Sequence, residues 1–130
     1  MANEKVLFVD DERDFVDLLR ARLEADNFRF TAAYDGEEAL EKVKTDRPDI
    51  IILDVMMPKI SGFDVCRRLK SDNNYKDIPI IILTAKFQPN DIKFSLDIGA
   101  NAYIAKPFDP RALLDKMRDL LNKNKSPSPK

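Results

Sequence analysis

Asp49-Ile50-Ile51-Ile52-Leu53-Asp54 and Pro79-Ile80-Ile81-Ile82-Leu83-Thr84 are near copies of one pattern: four apolar residues in a row, closed by a small polar one. The apolar residues are continuous and do not alternate with polar ones, so both faces of each strand must be covered, as in a parallel sheet. Strands are predicted at Asp49–Leu53 and Pro79–Leu83, and outward from them at Lys5–Val9, Arg29–Ala33 and Ala102–Ala105. The intervening segments read as amphipathic helices. Phe15, Leu18, Leu19 and Leu23 form one apolar stripe, Leu113, Met117, Leu120 and Leu121 another, and Ile92 and Leu96 a weaker one. Asp35-Gly36-Glu37-Glu38 and Ser61-Gly62-Phe63-Asp64 resemble capping boxes, Asp109-Pro110 places a cap before a first-turn proline, and Gly99 reads as a helix stop. Alternating strands and helices imply right-handed crossovers. The expected fold is α/β: a doubly wound (βα)5 unit over residues 4–122, its five-stranded parallel sheet in the order 2-1-3-4-5. Residues 123–130, without core-forming side chains, are expected to be a disordered tail or a truncated linker.

Composition removes whole classes of chemistry. The 130 residues include no histidine, which excludes Ser-His-Asp and Cys-His catalysis, His-ligated zinc and imidazole acid–base work. A single cysteine, Cys66, can form neither an internal disulfide nor a thiolate cluster, and fits a reducing compartment. Its spacing from Phe63 and Leu69 makes it a buried thiol. The net charge of −1 gives no bulk affinity for nucleic acid, and the tail lysines read as a solvating end. Met1-Ala2-Asn3-Glu4-Lys5 has no apolar signal core, and no apolar run reaches the roughly 18 residues of a membrane span. The expected setting is cytoplasmic.

In an open α/β sheet of this order, ligands bind beyond the carboxyl ends of strands 1 and 3. Asp10-Asp11 follow strand 1, Asp54 strand 3, Thr84 strand 4 and Lys106 strand 5, whereas strand 2 ends in Ala32-Ala33. Singly, either Asp of the pair reads as a helix cap, Thr84 as a turn residue and Lys106 as a solvated charge; their convergence on one edge argues for a site. Two like charges about 4 Å apart repel by roughly 4 kcal/mol at an effective dielectric near 20, so three carboxylates call for a cation. Oxygen ligands without His or Cys suit Mg²⁺, with Mn²⁺ an alternative. With a lysine and a hydroxyl beside them, an Asp nucleophile and Mg²⁺ make a phosphoryl-transfer site.

These residues, with Leu53-Asp54-Val55-Met56-Met57-Pro58-Lys59-Ile60-Ser61-Gly62 and Lys106-Pro107, resemble a response-regulator receiver domain of two-component or phosphorelay signalling, with its chemotaxis-regulator-like, flavodoxin-like fold. The resemblance implies that Asp54 is the phosphoacceptor. Asp11 would bind Mg²⁺ directly, Asp10 largely through water, and Met56 by its backbone carbonyl. Lys106 would hold one phosphoryl oxygen and Thr84 would swing in to another. Tyr103 stands at the switch-aromatic position and would reshape the face of helix 4, strand 5 and helix 5, although by itself it also suits half-buried strand packing. The Lys106–Pro107 bond would be cis in the family, against the trans default of a sequence alone. Met56 and Lys86 occupy the positions that tune phosphoryl lifetime; neither can orient an attacking water, so slow self-hydrolysis is expected.

The resemblance further implies a stoichiometric acceptor and not a turnover enzyme. Its phosphoryl donor would be a separate histidine kinase or histidine phosphotransfer protein, because the chain has no histidine of its own. No effector or DNA-binding motif is visible, so the output is a protein contact, a domain outside these residues or onward relay. Two other readings stand beside this one. An Asp-nucleophile Mg²⁺ phosphatase is disfavoured because Met56, not a second Asp, lies two residues after Asp54. A phosphorylation-silent scaffold is disfavoured by the intact polar set. A flavin or dinucleotide site is unsupported, since the three glycines form no G-x-G-x-x-G. Phe94 lies off its helix stripe and reads either as a partner contact or as local packing.

Overall fold

The computed structural model describes residues 3–57, 59–85 and 89–125. Five strands, β1 (Lys5–Val9), β2 (Arg29–Ala33), β3 (Ile50–Asp54), β4 (Ile80–Thr84) and β5 (Ala102–Ala105), alternate with five helices, α1 (Arg13–Ala25), α2 (Gly36–Thr45), α3 (Gly62–Lys70), α4 (Pro89–Asp97) and α5 (Pro110–Lys125). All neighbouring strands are parallel, as the apolar runs imply, and their order is the expected β2-β1-β3-β4-β5.

The two faces of the sheet carry separate cores. Val6 and Phe8 of β1, Ile50 and Ile52 of β3, and Ile81 and Leu83 of β4 pack against α1 and α5. Leu7, Val9, Ile51, Leu53, Ile80 and Ile82 point the other way, against α2 and α3. Successive strand residues face opposite sides, so an unbroken Ile-Ile-Ile-Leu run serves both cores at once. Each fully buried aliphatic side chain stabilises the fold by about 1.5–3 kcal/mol.

Several helix ends follow the expected chemistry. The Asp35 side chain accepts from the Glu38 backbone N–H at 2.8 Å, that of Ser61 from Asp64 at 3.2 Å, and that of Asp109 from Arg111 at 2.9 Å. The Glu38 carboxylate accepts from the Tyr34 N–H at 2.7 Å, one residue ahead of the position in a strict capping box. After α4, Gly99 adopts φ +104°, and the bonds Gly99 N–H to Leu96 C=O and Ala100 N–H to Ser95 C=O close a Schellman motif.

Four details differ from the sequence expectation. β3 and β4 begin and end one residue later than expected, because Asp54 and Thr84 remain in the ladder opposite Leu83 and Ala105. Helix α5 continues to Lys125, so residues 123–125 of the expected tail belong to it; 126–130 lie outside the described residues. On α1 the buried stripe is Val16, Leu19 and Leu23, while Leu18 is 68% exposed, about 100° round the helix from Leu19. On α4 Ser95 is buried, its hydroxyl donating to the Asp91 carbonyl at 2.9 Å, and Leu96 is exposed.

Candidate functional site

Strand parity sorts the polar residues. Asp10 follows Phe8 at i+2, Asp54 follows Ile52 and Lys106 follows Ile104, so all three extend the α1/α5 face of the sheet past its carboxyl edge. Thr84 follows Ile82 and therefore sits on the opposite face, together with Tyr103. The candidate residues thus fall into a charged group on one side and a hydroxyl–aromatic pair on the other.

Asp10 continues the β1 ladder through its N–H to the Ala33 carbonyl at 3.1 Å, which fixes its backbone. Its carboxylate is fully buried; Oδ1 accepts from the Glu12 N–H at 3.0 Å and Oδ2 from Lys106 Nζ at 2.8 Å. Lys106 Nζ stands 3.9 Å from Asp54 Oδ1 and 3.8 Å from Glu12 Oε1. The Lys106 N–H donates to the Thr84 carbonyl at 2.8 Å, and the Lys106–Pro107 peptide bond is cis. Carboxylate oxygens of Asp10, Asp11 and Asp54 all lie within 4.8 Å of one another, with Asp11 on the exposed side.

Asp54 is 5% exposed. Burial raises its pKa to about 6; the Asp10 charge adds to the rise, Lys106 and the Met56 N–H oppose it, and Asp11 contributes a further push. For Lys106, burial disfavours the ammonium, but the hydrogen bond and charge of Asp10, with Asp54 and Glu12, more than offset it, so its pKa is raised. One ammonium against three clustered carboxylates leaves an excess of negative charge in a largely dry site. Their hard oxygen donors fit Mg²⁺ or Mn²⁺, and no softer ligand is in the cluster.

Close packing sets the approach to Asp54. Helix α3 begins on Gly62, whose N–H donates to the Val55 carbonyl at 3.0 Å; a Cβ there would lie 2.1 Å from the Asp54 carbonyl oxygen. Between Asp54 and α3 the chain is tied to the start of α2. Lys59 adopts φ +70° and its ammonium lies 3.6 Å from Asp35 and 3.5 Å from Glu37. The Met56 side chain is 59% exposed. Lys86 lies outside the described residues.

On the opposite face Thr84 is fully buried and Tyr103 is half-buried against the α2/α3 core. Burial and the Asp91 carboxylate of α4 push the Tyr103 phenol up. Phe94 combines both expectations: it is 40% exposed, and its ring meets Phe63 of α3 edge-on at 4.9 Å, with Arg67 5.8 Å from its centroid. Cys66 is buried and its thiol is pushed up to about 11 by desolvation, as expected of a structural residue. Sequence reasoning missed the Lys59 tie, the approach of Glu12 to Lys106, and Phe15, whose ring centroid lies 4.5 Å from Lys106 Nζ. Phe15 read only as part of an apolar stripe, and nothing in its spacing signals a cationic neighbour.

A doubly wound sheet with three carboxylates and a lysine at its switch point defines a class, and comparison with known proteins names it. Residues 6–118 match the response regulator receiver domain, and the chain belongs to that family. Among curated relatives it is 41% identical over 127 residues to the alkaline phosphatase synthesis transcriptional regulatory protein PhoP of Bacillus subtilis (98% of this chain, 52% of that protein). It is 43% identical over 121 residues to the response regulator MprA of Mycobacterium ulcerans (93% and 51%). The chain therefore spans about half the length of these relatives. Among solved structures, the receiver domain of Francisella response regulator 1452 superposes with a TM-score of 0.89 at 31% identity, covering 95% of this chain and all of that one. Vibrio cholerae chemotaxis protein CheY4 superposes with a TM-score of 0.84 at 33% identity, covering 90% and 98%. Among the described residues no helix is long and apolar enough to cross a membrane.

Proposed function

We propose that this domain is the phosphoacceptor of a two-component or phosphorelay pathway, with Asp54 taking a phosphoryl group from a phosphohistidine on a separate protein. The observation that carries the reading is the convergence of Asp10, Asp11, Asp54 and Lys106, supported by family membership. An Asp54 carboxylate oxygen attacks phosphorus, the P–N bond breaks, and its electron pair returns to the donor imidazole. The product is an acyl phosphate on Asp54.

Asp10, Asp11 and Asp54, with the Met56 backbone carbonyl, would hold Mg²⁺ or Mn²⁺. A bound divalent cation neutralises the carboxylates and supplies positive charge to the phosphoryl oxygens. Lys106, already 3.9 Å from Asp54, moves its ammonium onto one phosphoryl oxygen, and the Thr84 hydroxyl donates to another. For that contact Thr84 must reach across from the far face, where Tyr103 is its neighbour; the vacated space lets Tyr103 move inward. The face formed by α4, β5 and α5 then changes shape and carries the signal to a downstream protein. The domain acts once per phosphoryl group, as a cytoplasmic switch and not a turnover enzyme. Its net charge of −1 gives it no bulk affinity for nucleic acid.

Intact-mass measurement after incubation with acetyl phosphate and Mg²⁺ tests this. One acid-labile phosphoryl adduct, absent from Asp54→Asn, is expected. Repeated phosphate release from small phosphoesters would instead identify a phosphatase, and no adduct at all would identify a scaffold.

A further inference from the structure

Lys106 is a flexible chain among several attractive partners. Asp10 lies 2.8 Å from its ammonium, Glu12 3.8 Å and Asp54 3.9 Å, and Glu12 is on the solvent side. Carboxylates alone do not give a lasting position, because their charges change when Asp54 accepts a phosphoryl group. The neutral neighbour is Phe15, whose ring centroid is 4.5 Å from Nζ, within the range where a ring face attracts a cation. Lys106 is largely shielded from water, which strengthens that attraction.

The ring itself is braced. Phe8, two residues before Asp10, meets it at 5.9 Å and 57°, and Phe108, two residues after Lys106, meets it at 6.0 Å and 80°. Phe30 of β2 stacks on Phe8 at 5.7 Å. This aromatic row runs beneath the charged group from β2 to the segment after β5, so the ring beside Lys106 is held from both sides.

We propose that Phe15 is a positioning residue for phosphoryl transfer, its ring face keeping the Lys106 ammonium between Asp10 and Asp54. The inference rests on the phosphoacceptor reading above. An attraction spread over a ring face lets the ammonium slide from carboxylate to phosphoryl oxygen without leaving its support. Once the ring is gone, the ammonium is free to turn toward Glu12 and solvent, and fewer molecules are poised to accept the group.

The test replaces Phe15 by a series of ring-fluorinated phenylalanines, which keep the shape and progressively cancel the negative ring face. Phe15→Leu and Phe15→Tyr accompany them. The uptake rate from acetyl phosphate with Mg²⁺ should fall stepwise along the series, reach about threefold to tenfold below the unmodified protein in Phe15→Leu, and be retained in Phe15→Tyr. In the same proteins without phosphodonor, the Lys106 Hε resonances should be shifted upfield by the ring and return downfield in Phe15→Leu. A flat rate along the series, with the Asp54 adduct still forming, overturns this inference and leaves the acceptor reading standing. No adduct on the unmodified protein overturns both. Lys106 Hε resonances that are the same with and without the ring would also refute the contact.

Discussion

The Lys106 ammonium donates to the Asp10 carboxylate at 2.8 Å, joining the ends of β5 and β1, two strands that are not neighbours in the sheet. The bond spans the carboxyl ends of β3 and β4, so the side chain bridges the crevice in which Asp54 stands. Asp10 is fully buried, and Lys106 is its charged partner there.

Removing that charge should therefore be costly. Lys106→Met keeps most of the stem and leaves Asp10 buried without its ammonium, a change expected to lower stability at pH 7.5, without divalent cations, by about 2–4 kcal/mol. Urea midpoints for the two proteins measure it directly. Equal midpoints would show that the bridge contributes nothing net.

Asp54 makes the cation-free protein pH-sensitive in the opposite sense from a salt-bridged acid. Its pKa is 3.8 ordinarily and about 6 when folded, so the folded state holds the proton more tightly than the unfolded chain. The resulting stabilisation is complete below about pH 3.8 and lost as pH rises through 6, a difference of about 3 kcal/mol over that window. Asp54→Asn removes this dependence. The variant should gain on the parent protein as pH rises from 4 to about 7, as followed by urea unfolding at several pH values. A constant difference between the two across that range contradicts the assignment.

Gly62 is required by proximity, since a Cβ would sit 2.1 Å from the Asp54 carbonyl oxygen. Gly62→Ala has to displace either the start of α3 or the end of β3. We expect a loss of about 2–3 kcal/mol, with slower phosphoryl uptake because Asp54 moves with its backbone. Thermal unfolding and the acetyl phosphate assay report the two effects separately. A variant as stable and as fast as the parent would mean that the loop absorbs the methyl group.

The exposed Met56 side chain offers no polar group to orient a water toward an aspartyl phosphate. Met56→Asn introduces one two residues after Asp54, and should shorten the adduct lifetime severalfold with little change in stability. Decay of the intact-mass adduct after removal of phosphodonor gives the rate. An unchanged or longer lifetime would remove Met56 from the control of hydrolysis.

Local chemistry decided much of what was legible in the chain. The Ile-Ile-Ile-Leu runs require cover on both faces, and the caps at Asp35, Ser61 and Asp109 and the stop at Gly99 depend on neighbours a few residues away. Leu18 and Ser95 show where this fails. Both lie in helices of the expected type, but which apolar or small residue turns inward depends on the angle at which each helix meets the sheet. The one-residue shift of β3 and β4 has a similar origin, because Asp54 and Thr84 stay in the ladder through their neighbours on adjacent strands.

By itself the sequence determined the strand–helix alternation, the parallel sheet and the placing of Asp10, Asp11, Asp54, Thr84 and Lys106 at the carboxyl ends of their strands, since period and strand direction leave little freedom there. Tertiary structure decided which face each parity set takes: Asp10, Asp54 and Lys106 on the α1/α5 face, Thr84 with Tyr103 on the other. It alone set the Lys106 ammonium against Asp10 and over the ring of Phe15. These contacts join residues up to 96 positions apart through long side chains, and only the packed sheet fixes their distances.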